Sequence, residues 1–150
     1  MDLVKMFSIS GAAMAAQRTR LSVITGNMAN AETTRTPEGG PYRRRDVIFQ
    51  AAPVGTEFSD LITDTSIEQP QEAISVEVAG IRQSNRPPKQ IFDPTHPDAD
   101  ARGYVSMPDI NVMEEMVDLL SAVRSYEANL TAFNATKSLV RRLLDLGRTS

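Results

Sequence analysis

The chain reads as a mainly α protein: two long terminal helices forming a coiled coil, with a small β-containing, Pro-rich middle segment between them. Three observations predict this. Apolar side chains recur at steps of four and three near both ends. All nine prolines lie between Pro37 and Pro108. The clearest alternation of β-branched with polar residues falls inside that same interval. An interior proline costs a helix about 3 kcal/mol, so the ends are free to be helical and the middle is not. The expected division is 1–36, an N-terminal helical segment; 37–108, an extended, β-containing middle; and 109–150, a C-terminal helical segment. The two ends together are expected to form one coiled-coil domain.

The N-terminal helix is expected from Leu3 to Ala31. Its stripe is Leu3, Phe7, Met14, Leu21, Ile24 and Met28, with Ser10 and Gln17 as polar members of the same line. Ala12, Ala13, Ala15 and Ala16 favour helix and permit close approach of a neighbour, whereas Gly11 and Gly26 each weaken it by up to ~1 kcal/mol. Asn30 and the Thr33-Thr34 pair, followed by Pro37, are expected to end it.

In the middle, Arg43–Gln50 and Ile74–Ile81 are the best strand candidates. The second alternates Ile74, Val76 and Val78 with Ser75 and Glu77. Short strands are expected near Ile91–Phe92 and Tyr104–Met107, and Pro87-Pro88 and Asp93–Asp100 read as extended turns.

The C-terminal helix has the strongest pattern. Val112, Met116, Leu119, Val123, Tyr126, Leu130, Phe133, Val140 and Leu144 recur at four/three spacing, interrupted only by Lys137. That spacing holds one face of a slightly underwound helix against a partner. Asn111 with Glu114 three residues later makes a capping-box-like start after Pro108. Glu114, Glu115 and Asp118 lie near the positive end of the helix dipole, and Arg141, Arg142 and Arg148 near its negative end, with Gly147 as the expected stop. Such a helix is roughly 50 Å long, more than a small domain covers by itself.

Composition excludes several classes. A compact fold of 150 residues buries about 68–70% of its unfolded surface, yet five Phe, three Tyr and no Trp supply few large core anchors. A formal net charge of −3 argues against general nucleic-acid or anionic-membrane binding. The absence of cysteine removes disulfides, thiolate metal sites and Cys nucleophiles. No stretch approaches the ~18 consecutive apolar residues of a membrane span. Lys5, the run Met6–Ala16 and Ala13-Met14-Ala15 loosely resemble a cleaved signal, but Ser8, Ser10 and Gly11 dilute the run and the helical stripe continues past it; no cleaved signal peptide is expected.

Candidate chemistry is sparse. Arg43-Arg44-Arg45 beside Tyr42 has the composition of a phosphate or nucleic-acid site, but Asp46 and the acidic chain favour a solvated or interface-facing strand. Glu38-Gly39-Gly40-Pro41 follows a helix and lacks the Lys-Ser/Thr of a phosphate loop, so it reads as a turn. His96 within Asp93-Pro94-Thr95-His96-Pro97-Asp98-Ala99-Asp100 has no second histidine and no paired nucleophile, so neither metal nor catalysis is expected. No cofactor is expected either. Met113, Val117 and Leu120 widen the apolar surface of the C-terminal helix, so an internal hairpin leaves part of it for other partners. A subunit of an open assembly and a cytoplasmic coiled-coil adaptor forming a closed oligomer both fit these features.

Residues Arg20–Thr34, with Asn27 and Asn30 three apart, and the continuation Gly40-Pro41-Tyr42-Arg43 resemble the N-terminal signature of the bacterial flagellar basal-body rod and hook family. Asn111-Val112, Glu115-Met116 and Arg124-Ser125-Tyr126-Glu127-Ala128-Asn129 are similar to its C-terminal signature. The turn at Gly39–Arg43, the Asp93–Asp100 segment, Gly103-Tyr104-Val105 and the short length resemble the family's proximal-rod members. Asp109-Ile110-Asn111 departs from the usual Asn-Val-Asn, and Lys137 departs from a continuous apolar seam, where it is placed to pair with an acidic group on a neighbour. The resemblance implies a non-enzymatic subunit that transmits torque in a periplasm-spanning helical rod. It implies export through the flagellar type III apparatus without a cleaved signal. It implies as neighbours further copies, other rod proteins, the export-gate adaptor and the inner-membrane ring. The signature positions it marks are Asn27, Asn30, Tyr42, Asn111, Glu115, Tyr126 and Asn129.

Overall fold

A computed structural model describes residues 3–54 and 73–148. Its elements in chain order are α1 (Leu3–Ala29), β1 (Arg45–Pro53), β2 (Ile74–Gln83), β3 (Lys89–Phe92), β4 (Tyr104–Met107) and α2 (Val112–Arg148). The middle segment expected over 37–108 is described only in part, since 55–72 lie outside the described residues. α1 ends two residues earlier than expected, and α2 runs through Gly147 to Arg148.

The expected fold class requires correction. Half of the described residues are helical and about a fifth are in strands, which form two two-stranded sheets, β1–β2 and β3–β4. The chain is thus a helix-plus-sheet protein rather than a mainly α coiled coil, and pairing of the two helices as a coiled coil is not shown. The physical reason lies in what each helix covers. A coiled coil inserts large apolar side chains from both lines of its stripe into the partner. On α2 the buried residues are Glu115, Ala122 and Thr136, and on α1 they are Ser10, Ala16, Ile24 and Asn27. Most are small or polar. Of the α2 stripe, Leu119, Val123, Tyr126, Phe133 and Val140 are half-buried, whereas Val112, Met116, Leu130, Lys137 and Leu144 are exposed. Four/three spacing is equally the mark of a helix that covers one line and leaves the next open.

The chain divides into two units. The first comprises Met1–Arg18, Phe49–Ala79 and Val123–Ser150. In it Phe7 meets Phe133 edge-on, with ring centroids 4.9 Å apart and planes at 70°. Such a pair contributes about 0.5–1.5 kcal/mol beyond its burial. Thr136 satisfies its buried hydroxyl by donating to the Ala132 carbonyl at 3.0 Å, which lets a polar side chain face inward. Gln17 is less well accommodated: its Oε1 is buried with no hydrogen-bond partner among the described residues. Just past the end of β1 and just before β2, Val54 N–H donates to the Ala73 carbonyl at 2.9 Å.

The second unit comprises Thr19–Ile48 and Gly80–Ala122. Here β3 and β4 are antiparallel, in register Lys89↔Met107, Gln90↔Ser106, Ile91↔Val105 and Phe92↔Tyr104. Val105 supplies the inward apolar contact of this ribbon, and Ile110 is buried just before α2. The connection between the strands closes on Gly103, whose φ of +81° is left-handed and whose missing Cβ would lie 2.9 Å from Phe92 Cε2. Only glycine fits both conditions. Carboxylates organise the loop: Asp93 accepts from Thr95 N–H and Oγ1, and Asp100 accepts from the N–H groups of Arg102 and Tyr104. The Thr95 bonds, the side-chain one first, hold the Asp93 carboxyl below the usual carboxylate range. His96 accepts the Asp98 N–H at Nδ1, a turn role in agreement with its expected place in a loop.

Candidate assembly site

In the second unit the ends of α1 and α2 are joined by a buried polar cluster built around Asn27. Asn27 and Glu115 are 0% and 1% exposed, so their polar atoms must find partners within the protein. All of them do. Asn27 Nδ2 donates to the Arg45 carbonyl at 2.9 Å and to Glu115 Oε2 at 3.1 Å. Asn27 Oδ1 accepts from Arg45 N–H at 2.9 Å and from the Tyr42 hydroxyl at 3.2 Å. Two donors and two acceptors exhaust a carboxamide. Because the amide pairs with both backbone groups of Arg45, it takes the place of a neighbouring strand at the head of β1. Asparagine is required here: aspartate lacks the donors, and glutamine adds a methylene.

Glu115 completes the cluster from the first turn of α2. Its Oε1 receives Arg44 Nε at 2.6 Å, and the same guanidinium reaches Asp46 at 3.4 Å and Asp118 at 3.7 Å. Arg20 of α1 adds a second bridge to Asp118 at 3.3 Å. Burial opposes the charge on Arg44, but the Glu115 hydrogen bond and the three carboxylates outweigh it and raise its pKa above the usual guanidinium value. Tyr42 is also raised, chiefly by burial, with Arg45 opposing and Glu115 adding to the shift. The Arg45 guanidinium lies 5.6 Å from the Tyr42 ring centroid.

The other marked positions serve local geometry. Asn30 donates to the Gly26 carbonyl at 2.8 Å and accepts from the Thr33 hydroxyl at 3.2 Å, closing the end of α1. Asn111 caps α2: its Oδ1 accepts Met113 N–H at 3.1 Å and its amide donates to Glu114 Oε1 at 3.1 Å. Asn129 folds back onto the Ser125 carbonyl of its own helix, and Tyr126 is half-buried on α2. Of the seven signature residues, therefore, the side chains of Asn27, Tyr42 and Glu115 converge in one cluster, while those of Asn30, Asn111, Tyr126 and Asn129 make the separate contacts just described.

Sequence reasoning missed Arg44. The triple-arginine run reads as a solvated or interface-facing strand without distinction among its members, yet only Arg43 and Arg45 are exposed. The period of two along an extended segment is the signal that separates the middle arginine from its neighbours. Residue spacing gave Glu115 a dipole role and the resemblance marked it as a signature position, but neither showed it as the buried counter-ion of Arg44.

The second candidate feature is an open apolar face near the start of α2. Met113, Met116, Val117 and Leu120 recur at helical spacing and are 69%, 43%, 66% and 58% exposed. Lys137, further along, is exposed and makes no ion pair with any described residue. The α1 stripe is more covered: Ile24 is buried, and Leu3, Phe7, Met14, Leu21 and Met28 are half-buried.

Residues 7–35 match the family model described as flagella basal body rod protein, and residues 101–146 match that described as flagellar basal body rod FlgEFG protein C-terminal. A half-helical chain with both matches in this order is of the flagellar basal-body rod class. The flagellar basal-body rod protein FlgC of Yersinia enterocolitica is 43% identical, over 99% of this chain and 100% of that protein. The FlgC proteins of Borreliella burgdorferi and Bacillus subtilis are 42% and 39% identical, covering 96% and 94% of this chain and 97% and 95% of their own lengths. The chain belongs to the FlgC family of flagellar basal-body rod proteins. It is a structural subunit of the flagellar basal body and not an enzyme, and it assembles with other basal-body components.

Proposed function

We propose that this subunit occupies the proximal part of a periplasm-spanning rod and joins it in an open helical array through apolar helix faces. The observation that carries this is the exposed Met113-Met116-Val117-Leu120 face in a chain of the rod family. A contiguous apolar face of this kind marks an interaction surface, and a head-to-tail contact that does not close generates a filament. The residues Leu3, Phe7, Met14, Leu21, Ile24, Met28, Val112, Met116, Leu119, Val123, Tyr126, Leu130, Phe133, Val140 and Leu144 are divided between internal packing and this assembly role. Lys137 is proposed to meet an acidic group on a neighbour. Domain organisation into two terminal segments, 1–36 and 109–150, flanking a middle of 37–108 belongs to the same proposal. Torque passes between packed helices without substrate turnover. Export through the flagellar type III apparatus, and contact with the export-gate adaptor and the inner-membrane ring, complete it.

The test uses exposed positions, because Leu119 and Val123 are half-buried within the chain and their substitution also disturbs its own packing. Val117→Asp is expected to leave secretion of the subunit intact and to abolish its incorporation into basal bodies and swimming. Normal rods and motility in this variant would remove the face from the mechanism.

A further inference from the structure

We propose that the groove bordered by Arg43, Arg45 and Arg82 in the second unit is a docking surface for a carboxylate-rich segment of a neighbouring copy of this chain. Three adjoining depressions form it. One is lined by Tyr42, Arg43, Arg45 and Gln83, the next by Arg43, Arg44, Ser84 and Arg86, and the last by Arg44, Arg82, Gln83 and Asn85. Shared residues make them one continuous surface.

Its charge is not balanced internally. Arg44 is neutralised by Glu115 and Asp46, and Asp109 by Lys89 at 3.1 Å with Arg86 at 3.7 Å. Glu38 is the remaining acid on the lining. Arg43, Arg45 and Arg82 are exposed and form no ion pair with any described residue. Three open guanidinium forks on a chain of net charge −3 are a local departure from its overall sign. Arginine presents paired donors that match a carboxylate, and Tyr42 stiffens Arg45 from one side.

The same chain carries the complementary chemistry. Residues 55–72 contain Glu57, Asp60, Asp64, Glu68 and Glu72 and no Lys, Arg or His. The proposed rod arrangement sets copies side by side, so each groove has a neighbouring chain that carries this acidic stretch in its sequence. The inference rests on that arrangement for its occupant. A nucleic acid or an anionic membrane is the less favoured ligand, because the broad basic face each requires is missing.

The test titrates a synthetic peptide of residues 55–72 into the labelled full-length chain and follows anisotropy. Binding is expected to weaken with added salt, since charge contacts at the surface are screened within about 8 Å at physiological ionic strength. Arg43→Glu/Arg82→Glu is expected to weaken it by about tenfold or more with an unchanged circular dichroism spectrum; neither side chain enters the Asn27–Glu115 cluster. In cells, this variant and a Glu57→Lys/Asp60→Lys/Asp64→Lys variant should each incorporate poorly, and co-expression should restore rods. No peptide binding, equal binding by the arginine variant, or preferential binding of phosphatidylglycerol vesicles or duplex DNA would overturn the proposal. So would restoration only when both sets of changes share one chain, which places the contact within a single copy. Failure of the wild-type chain to enter rods would instead defeat the rod arrangement, and peptide binding reads independently of it.

Discussion

Arg44 and Glu115 are unequally buried, and that asymmetry sets what each substitution does. Glu115 is 1% exposed and the Arg44 side chain 27%, so removing the arginine strands a carboxylate in the interior while removing the acid leaves a cation that still has Asp46 and Asp118. Breaking a buried pair from one side costs about 3–5 kcal/mol, and Arg44→Met is expected to reach that range in denaturant unfolding. Glu115→Gln keeps an acceptor for Asn27 and should cost only about 1–2 kcal/mol. Equal losses for the two would contradict the buried-carboxylate description. At the exposed rim, the Lys89 hydrogen bond, with the charges of Lys89 and Arg86, depresses the Asp109 carboxyl. A folded pKa below the unfolded one stabilises above the ordinary carboxylate range, and the contribution disappears as pH falls through the folded value. Lys89→Met is therefore expected to move the Asp109 titration, followed by side-chain NMR, up toward the ordinary carboxylate value.

Among elements, the β3–β4 ribbon depends most on a single residue. Gly103→Ala combines a left-handed φ with a Cβ placed 2.9 Å from Phe92 Cε2 and 3.2 Å from Pro94 Cβ, so the Phe92–Tyr104 ring contact must shift. A cost of about 1–3 kcal/mol is expected, seen as faster hydrogen exchange at Ile91 and Val105. Proline placement, strand alternation and the Asn111 cap made the helices and strands legible from sequence, because each is a local rule. Which line of a helix is covered is not local. The α2 stripe marks one line, and only the three-dimensional arrangement shows that Ala122 and Thr136, which lie beside it, face inward while its own members Met116 and Leu130 face outward. The asparagine signature likewise marked Asn27 without revealing Arg45 backbone as its partner, since nothing in residue spacing encodes a side chain standing in for a strand.

At the scale of the whole molecule, two features of opposite character coexist: a buried, satisfied polar cluster that fixes α1, β1 and α2 within the second unit, and an apolar α2 face with no cover among the described residues. The first makes the subunit's geometry definite; the second gives it something to assemble with. Resemblance in the terminal signatures was enough to reach the family from the sequence, and the full-length FlgC relatives settle it. The cytoplasmic adaptor, the competing reading, loses its basis with that result. The most direct measurement is electron cryomicroscopy of purified basal bodies at side-chain resolution. The expected map shows this chain in an open helical array with Met113, Met116, Val117 and Leu120 buried against a neighbouring subunit. A map with that face in solvent, or with the chain in a closed ring, would contradict assembly through α2.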